Sequence, residues 1–329
     1  MNLSEFDYYL PKNLIAQTPI EPRDNSKLMI LKDGEIEHRR FYDIVDYLNK
    51  GDTLVLNDTR VIPAKLVGKK PTGGKVELLI FDKVSSYKYK ALVKGKNIRP
   101  STEIIFENGV VGRVEKHVSE GEFIIEFNQI LELDKIGRVP LPPYIKKELK
   151  NQSRYNTVYA KHEKSVAAPT AGLHFTKELL RKIEKKCGIA YITLHIGPGT
   201  FKPVKTEDVA EHKMEKEWFR ITKENAEIIN STNGKLIATG TTVVKALESA
   251  CKNGKIIDYE GWSDVFIHPQ YKFKSDIRGM ITNFHLPKST VLLLTCAFMG
   301  RERLFSAYKE AIKNNYRFYS FGDSMLILD

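Results

Sequence analysis

The feature that most constrains the fold is a run of short β-type segments between about Arg60 and Lys150. In chain order they read KVELLIF, YKALVKG, TEIIFENG, VVGRVEKHV and GEFIIEFN, and glycine and asparagine turns separate them. Closely spaced short strands without intervening helices predict a small antiparallel barrel or sandwich. The stretch GRVPLPPYIKK, which contains three prolines, then predicts a stiff, extended connector.

Helical and buried-strand patterns alternate after this connector. TKELLRKIEKK predicts a helix with an apolar inward face and Thr176 as its N-cap. TKENAEIINSTNG, TTVVKALESACKNG and STVLLLTCAFMG predict further helices, and the second of them is expected to end at Gly254. AYITLHIG and KLIATG predict buried strands. This alternation is typical of an α/β layer domain.

The first fifty residues mix the same two kinds of element. SKLMIL predicts a short strand, and FYDIVDYLNKGD predicts a helix that ends before Gly51. We therefore expect the α/β fold class, with a large mixed α/β domain formed by residues 1–60 and 151–329. A small antiparallel β-barrel domain is expected as an insertion at residues 61–150.

Composition excludes several classes of protein. No apolar run reaches the roughly 18 residues that span a bilayer, and the start MNLSEFDYYLPKNL is acidic where a signal peptide is basic. We therefore expect a cytoplasmic protein without membrane contact. The three cysteines are far apart and form no C-x-x-C pair, which argues against a disulfide framework and a structural zinc site. No metal is expected.

The distribution of charge points to an anionic partner without proving one. The formal net charge is +11, from 52 basic and 41 acidic residues. Between Lys65 and Arg99, basic side chains far outnumber the acids Glu77 and Asp82. This block is either a solvated lysine-rich surface or a face that contacts successive phosphates of a nucleic acid.

Small and polar residues follow two of the predicted strands. They are His195, Gly197 and Gly199 after one strand, and Gly240, Thr241 and Thr242 after the other. Open α/β sheets bind ligands at the carboxyl ends of their strands, where glycines admit close approach and helix N-termini bind anions. The two turns together favour a small-molecule site, although both threonines are also suitable as simple helix caps.

Familiar catalytic and nucleotide-binding motifs are missing. The chain contains no G-x-x-x-x-G-K-[ST], no G-x-G-x-x-G after a first strand, no G-x-S-x-G and no H-E-x-x-H. Three histidines, His174, His195 and His285, lie beside loops rich in glycine or proline. Imidazole both gives and takes protons near neutral pH, so a shared acid–base site is one interpretation, and three separate structural residues are the other.

Several longer blocks are similar to one known family. They are FDYYLPKNLIAQTPIEPRDNSKLM, VLNDTRVIPAKL, SVAAPTAGLHFT, LHIGPGTFKPV, GTT followed by KALES, TNFHLPKST and YRFYSFGDSM. Together they resemble the S-adenosylmethionine:tRNA ribosyltransferase-isomerase family of the queuosine pathway. The resemblance runs from Phe6 to Leu328 in the order of the family.

The resemblance implies an unusual use of S-adenosylmethionine. Its ribosyl moiety, rather than its methyl group, is transferred to 7-aminomethyl-7-deazaguanine at the wobble position of tRNA and isomerised to an epoxycyclopentane. The products implied are epoxyqueuosine-tRNA, adenine and methionine. S-adenosylmethionine is thus a consumed substrate, no cofactor is expected, and a monomer is expected. The family also implies a large α/β domain with a small inserted β-barrel.

This chemistry requires proton transfer and recognition of a cation. His174 is our leading candidate for the acid–base group, with His195 and His285 as alternates. Gly240, Thr241 and Thr242 suit the methionine carboxylate or another anion. The remaining predicted substrate-binding residues lie in or beside the family blocks: Arg23, Asp58, Arg60, Thr170, Gly172, Gly197, Gly199, Asn283 and Asp323.

Four charged residues of this set have structural alternatives. Asp58 and Asp323 either bind ribose hydroxyls and the surroundings of the sulfonium or make turn hydrogen bonds. Arg23 and Arg60 either bind a carboxylate or phosphate or form ion pairs within the protein.

A tRNA substrate favours the phosphate-binding interpretation of the lysine-rich block. Lys69, Lys70 and Lys75 are therefore predicted to contact tRNA. Two other classes of function remain open from the residues alone, a non-catalytic RNA-binding protein and an S-adenosylmethionine methyltransferase. The chain also departs from the family pattern at Val243 and Lys245, where serine and arginine are common, and at Lys288, where the common residue is acidic.

Overall fold

The structure, a computed structural model, describes residues 1–201, 204 and 206–328. Its strands are β1 (Lys27–Lys32), β2 (Glu35–Arg40), β3 (Thr53–Asn57), β4 (Thr59–Val61), β5 (Lys65–Lys69), β6 (Lys75–Lys83), β7 (Lys88–Lys94), β8 (Glu103–Ile105), β9 (Val111–Ser119), β10 (Glu122–Phe127), β11 (His162–Ser165), β12 (Gly188–Leu194), β13 (Glu217–Ile221), β14 (Leu236–Thr239), β15 (Cys251–Lys252), β16 (Lys255–Ile256), β17 (Tyr259–Ser263), β18 (Ile277–Asn283) and β19 (Ser324–Leu328). Its helices are α1 (Leu133–Ile136), α2 (Lys177–Glu184), α3 (Lys223–Asn230), α4 (Thr241–Ala250), α5 (Thr290–Met299) and α6 (Arg301–Lys313). The 3₁₀ segments include Arg23–Asn25, Phe41–Tyr47 and Thr170–His174.

A nine-stranded mixed sheet forms the centre of the molecule, with the order β17-β13-β12-β3-β14-β18-β19-β1-β2. Strands β12, β3, β14 and β18 are parallel neighbours, and β19 runs antiparallel to β18. Alternate residues of β3 point to opposite faces: Leu54 and Leu56 pack with α2, and Val55 packs with α4. Helices α5 and α6 pack over a third apolar cluster, beside β1 and β19. Each fully buried aliphatic side chain contributes roughly 1.5–3 kcal/mol to folding.

The inserted β segments close into a barrel with the order β10-β7-β6-β5-β8-β9. Its pairs are antiparallel, and the alternation of β6 directs Val76, Leu78 and Ile80 into the barrel core. The proline-rich connector leaves the barrel beside β5, where Lys65 and Arg138 exchange backbone hydrogen bonds. The predicted fold class, mixed α/β with a small antiparallel barrel, is confirmed. The division into domains at 61 and 150 stays a prediction.

Three local features differ from, or add to, what the sequence patterns predict. The helix expected to reach Gly254 ends at Ala250, and the remaining residues form the β15–β16 hairpin. Asn253 and Gly254 both have positive φ, the conformation of an Asn-Gly hairpin turn. The segment Phe41–Tyr47 is a 3₁₀ helix rather than an α-helix. Helix α6 and the strands β13, β17, β18 and β19 were not predicted.

The predicted N-cap of α2 is confirmed. Thr176 Oγ1 accepts a hydrogen bond from Leu179 N at 3.1 Å, and it donates one to Asp24 Oδ2 at 2.9 Å. The cap therefore also fixes the 3₁₀ segment Arg23–Asn25 against the start of α2. Within the described part of the chain, every helix is too short or too polar to span a bilayer.

Candidate active site

One edge of the large sheet collects most of the predicted site residues. The parallel strands β3, β12, β14 and β18 end at this edge, and the opposing strand β19 begins there. We call it the site edge. Five predicted residues lie directly at these strand ends: Asp58, His195, Gly240, Asn283 and Asp323. The carboxyl ends of parallel strands are where open α/β sheets bind ligands.

Asn57 joins three of these strand ends, and sequence patterns did not single it out. Its Nδ2 donates to Leu194 O at 3.1 Å and to Thr242 Oγ1 at 3.2 Å. Its Oδ1 accepts from Leu194 N at 3.0 Å and from Thr59 N at 3.2 Å. The signal in the sequence was the block VLNDTR, in which Asn57 directly precedes the predicted Asp58. The Thr242 hydroxyl is thereby oriented by Asn57 and does not cap its own helix.

His174 is enclosed beside the start of β1. It is 4% exposed, its ring stacks on Phe41 at 4.9 Å, and its Nδ1 lies 2.7 Å from Ser26 Oγ. Asn283 Nδ2 donates to Tyr319 O at 3.1 Å and lies 3.3 Å from His174 Nε2. Nε2 therefore accepts, and Nδ1 carries the proton that is donated to Ser26. Both ring nitrogens are occupied by protein groups.

The surroundings of His174 favour its neutral form. Burial lowers its pKa to about 3, and distant guanidinium groups act in the same direction. The histidine ends the 3₁₀ segment Thr170–His174, which lies against β18. Gly172 in this segment admits no larger residue, because a Cβ there would collide with the Tyr159 hydroxyl and the Thr157 methyl group. Thr170 begins the segment and is half-buried.

A cavity of about 380 Å³ opens beside Asp58 and contains His195. We call it the Asp58 pocket. Its lining residues are Asp58, Tyr159, Lys161, His162, Tyr191, Thr193, His195, Trp218, Arg220, Thr222, Glu224 and Asn225. Thr193 Oγ1 donates to Asp58 Oδ1 at 2.6 Å, and His162 Nε2 lies 3.5 Å from Oδ2. Burial raises the pKa of the Asp58 carboxyl, while Thr193 and His162 oppose that rise. A cation bound in this pocket would stabilise the ionised carboxylate.

His195 presents an unprotonated nitrogen at this pocket. Its Nδ1 lies 2.8 Å from Thr59 Oγ1, and Thr59 Oγ1 donates to Ser165 Oγ at 3.0 Å. Because the Thr59 proton is used on Ser165, His195 Nδ1 is the donor to Thr59, and its Nε2 keeps a lone pair. The ring stacks on Trp218 at 4.9 Å with a 15° angle. Burial, helped by nearby charges, lowers the pKa of His195 to about 4, so the ring is neutral at pH 7.

His285 and His174 lie on opposite faces of the sheet, because His285 contacts Thr282 and His174 contacts Asn283. The Nε2 of His285 is 2.7 Å from Thr282 Oγ1, its backbone N donates to Tyr308 Oη at 2.8 Å, and its carbonyl accepts from Tyr8 Oη. Thr282 and Asn283 point to opposite faces because they are neighbours in a strand. Burial lowers the pKa of His285 to about 3. Among the three candidate histidines, His195 is the one that lines the Asp58 pocket.

Arg23 and Arg60 both make contacts with other groups of the protein. Arg23 Nη1 donates to Asn156 O at 2.9 Å and to Leu173 O at 3.3 Å, so it braces the loop that carries His174. Burial lowers its pKa to about 10. Arg60 Nε lies 3.3 Å from Glu163 Oε1 in an exposed ion pair. Exposed pairs of this kind contribute about 0–1 kcal/mol, which leaves Arg60 available to an anionic ligand.

Asp323 is held by backbone amides. Its Oδ1 accepts from Lys27 N at 2.9 Å, and its Oδ2 accepts from Arg317 N at 2.7 Å. The carboxylate therefore connects the start of β1 to the loop before β19. Burial raises its pKa, and these hydrogen bonds oppose the rise.

The glycine turn after β12 is fixed by a buried ion pair. Lys245 Nζ lies 2.9 Å from Glu217 Oε2, and Gly197 N donates to Glu217 Oε1 at 3.3 Å. Lys245, in place of the family's common arginine, thus holds this turn through Glu217. A Cβ on Gly199 would collide with the Glu215 carboxylate. No structural reason for Val243 in place of serine emerges beyond its burial in the core.

Gly240, the N-cap of α4, has a backbone conformation that residues with side chains disfavour. Its φ is +88°, and its N–H donates to Ile281 O at 2.7 Å across the β14–β18 pair. Thr241 is the first helical residue, so its N–H group points out of the helix start toward the site edge.

The three predicted tRNA-contact lysines lie on the barrel. Lys69 is exposed at the end of β5, Lys70 Nζ donates to Lys96 O at 2.9 Å, and Lys75 Nζ lies 3.0 Å from Glu77 Oε1. Lys75 also borders a groove of about 710 Å³ between the barrel and the proline-rich connector. Most cations of this groove are lysines: Lys65, Lys75, Lys94, Lys146 and Lys147, joined by Arg138.

Comparison with known proteins identifies the family. The sequence profile of the family described as "Queuosine biosynthesis protein" matches residues 3–327. The chain belongs to this family. Two relatives named S-adenosylmethionine:tRNA ribosyltransferase-isomerase, from Acetivibrio thermocellus and Clostridioides difficile, are each 50% identical over 341 residues. Each alignment covers 99% of this chain and 100% of the relative.

A solved structure agrees with this placement in the queuosine biosynthesis family. The crystal structure of an S-adenosylmethionine tRNA ribosyltransferase from Thermotoga maritima has 36% sequence identity to this chain and a TM-score of 0.57. The alignment covers 98% of this chain and 100% of the Thermotoga maritima chain. The predicted family and the predicted enzyme class, a transferase and isomerase, are confirmed.

Proposed function

We propose that this chain transfers the ribosyl moiety of S-adenosylmethionine to 7-aminomethyl-7-deazaguanine at the tRNA wobble position and isomerises it. The products are epoxyqueuosine-tRNA, adenine and methionine, formed by a monomer without a further cofactor. Membership of the queuosine biosynthesis family and the names of the relatives support the reaction class. The observation that carries the substrate assignment is the Asp58 pocket, in which a carboxylate, aromatic rings and a neutral histidine meet.

The Asp58 pocket suits a sulfonium ion. The Asp58 carboxylate supplies the opposite charge, and the rings of Tyr159, Tyr191 and Trp218 supply faces that attract cations and stack on a purine. Its volume of about 380 Å³ lies within the range of about 300–1,000 Å³ for small-molecule pockets. The turn at Gly240 and Thr241, at the N-terminus of α4, suits the methionine carboxylate.

His195 is the proton carrier of this proposal. The sulfonium acidifies the adjacent ribose C5′ hydrogens, and neutral His195 Nε2 takes one of them while the electron pair remains on C5′. The imidazolium then returns the proton to adenine as the glycosidic bond breaks. A hydroxyl chain from His195 through Thr59 to Ser165 keeps Nε2 in the accepting state at the start. His174 serves as a support of the site edge, because its nitrogens bond to Ser26 and Asn283.

A product analysis tests the proposed reaction. The protein is incubated with labelled S-adenosylmethionine and tRNA that bears the aminomethyl precursor. Release of free adenine and methionine is the expected result. Formation of S-adenosylhomocysteine identifies a methyltransferase instead, and a protein that binds tRNA and gives neither product is a non-catalytic RNA binder.

Replacement of Asp58 by asparagine is expected to weaken binding of S-adenosylmethionine about tenfold to a hundredfold. The reason is the loss of a buried charge that faces the sulfonium, since a close pair of opposite charges in a site that excludes water contributes about 1.5 kcal/mol or more. Calorimetric titration measures the effect. S-adenosylhomocysteine, which lacks the positive charge, is the control ligand and is expected to lose much less affinity. An equal loss for both ligands contradicts an electrostatic role for Asp58.

Charge reversal of the predicted tRNA-contact lysines is expected to weaken tRNA binding more than about tenfold at moderate salt. The variant replaces Lys69, Lys70 and Lys75 with glutamate. Because each lysine–phosphate contact contributes about 0.9 to the slope of log K against log salt, the slope also becomes shallower. Filter binding over a salt series measures both. The control variant reverses three exposed lysines outside the barrel: Lys252, Lys255 and Lys309. Unchanged binding at low salt contradicts the proposed face.

A further inference from the structure

The chain contains two tryptophans, which are register partners in neighbouring strands, and one of them lines the Asp58 pocket. Trp218 of β13 lines the pocket and stacks on His195. Trp262 of β17 is its register partner in the neighbouring antiparallel strand, so the two side chains share one face of the sheet. Trp262 is 59% exposed, and β17 is the outermost strand of the sheet.

The exposed position of Trp262 contrasts with the buried opposite face of its strand pair. The opposite face of β13 carries Phe219 and Ile221, which are buried against α4. The face with the tryptophans carries in addition Arg220, which borders the pocket and forms an exposed ion pair with Glu260 at 3.4 Å. A large aromatic ring left in water next to a site is typical of a surface that meets a ligand.

An RNA loop is the occupant that this face fits. A base that reacts with S-adenosylmethionine at this pocket must leave its stack, so the neighbouring base loses a stacking partner. Aromatic side chains replace that partner in single-strand recognition, and nearby cations neutralise the backbone. The mouth of the pocket supplies such cations in Lys161 and Arg220. Trp262 is the register partner of the pocket residue Trp218, so a flanking base stacked on Trp262 stays beside the pocket.

We propose that Trp262 is a stacking platform for the nucleotide that flanks the modified base of the tRNA anticodon loop. It is a binding residue and takes no part in proton transfer. This inference rests on the proposed function, because it takes the modified base to reach S-adenosylmethionine at the Asp58 pocket. It adds a contact surface that extends from the pocket onto the face of β13 and β17.

Tryptophan fluorescence tests the platform directly. In the Trp218→Phe variant, Trp262 is the sole tryptophan, so its emission reports on this position alone. Titration with an anticodon stem-loop RNA is expected to quench that emission saturably, because a stacked base quenches the indole. Quenching that depends on protein concentration without RNA indicates a second copy of this chain on the open strand and overturns the proposal.

Binding measurements on the otherwise unchanged chain give the second readout. Trp262→Ala is expected to raise the Kd for the stem-loop about 5- to 100-fold, and Trp262→Phe is expected to recover most of that loss. Affinity for S-adenosylmethionine is expected to stay within about twofold of the parent. Tyr9→Ala, at a residue that is 84% exposed, is the matched control and is expected to leave RNA binding unchanged.

The outcomes separate this inference from the proposed function. Quenching of Trp262 by RNA, together with no adenine release by the otherwise unchanged chain, supports the platform and refutes the ribosyl transfer. Normal adenine release by Trp262→Ala, with an unchanged KM for tRNA, refutes the platform and retains the reaction. An equal loss of affinity for S-adenosylmethionine and RNA shows that Trp262 only supports the pocket, and it also overturns the proposal.

Discussion

Replacement of His195 by glutamine is expected to lower the single-turnover rate of adenine release by about 10²- to 10⁴-fold, the range for loss of a general acid–base group. The imidazole is neutral at pH 7, because burial holds its pKa near 4, and its hydrogen bond to Thr59 leaves Nε2 as the acceptor. Glutamine retains a donor for Thr59 but has no nitrogen that takes a proton. Affinity for S-adenosylmethionine is therefore expected to change little.

A matched His174→Gln variant distinguishes the two leading histidines. Both substitutions remove an imidazole, but only His195 lines the Asp58 pocket. We expect His174→Gln to reduce stability and to retain most of the single-turnover rate in the folded fraction, as measured by rapid-quench assays. The opposite pattern, a folded His174→Gln protein without adenine release and an active His195→Gln protein, assigns the proton transfer to His174.

Acidification below about pH 6.5 is expected to destabilise the fold steeply. In the unfolded chain a histidine has a pKa of about 6.5, whereas burial lowers the pKa of His174 to about 3. Between these values the unfolded state binds a proton that the folded state does not, so the free energy of unfolding falls as the pH falls. Linkage gives a loss of about 2 kcal/mol from His174 alone between about pH 7.5 and pH 5. His285, with a pKa lowered to about 3, acts in the same direction.

Urea denaturation at a series of pH values measures this dependence. We expect a His174→Gln variant to be less stable than the parent at pH 7.5 and to lose less further stability on acidification. His117→Gln, at an exposed side chain of the barrel, is the control and is expected to follow the parent curve. A parent curve that is flat between pH 7.5 and pH 5 contradicts the assignment of buried neutral histidines.

Local sequence patterns predict the elements whose signals are local. The barrel strands follow from alternating residues such as Val76, Leu78 and Ile80, and the start of α2 follows from the capping hydroxyl of Thr176. The end of α4 was wrong because the apolar pattern continues past Ala250. There the Asn253–Gly254 pair favours a hairpin turn over further helix.

The candidate site was predictable only in part, because its geometry depends on contacts between distant residues. The strand-end position of His195 follows from a buried strand and the glycines behind it. Its protonation state depends on Thr59 and Ser165, and no local sequence pattern predicts those partners. The role of Asn57 could likewise not be predicted locally, because it depends on β12 and α4 lying next to β3. The enclosure of His174 arises from Ser26, which is far away in the chain.

The strand order has a consequence for the order in which the molecule assembles on the ribosome. Strand β19 occupies an interior position between β18 and β1, although nearly three hundred residues separate Lys27 from Ser324. The large sheet therefore cannot close until residue 328 has left the exit tunnel. The barrel pairs only strands between Lys65 and Phe127, so it can form much earlier during translation. Until β19 has paired with β1, β1 exposes an unpaired edge, and Ser26 and Asn283 cannot enclose His174.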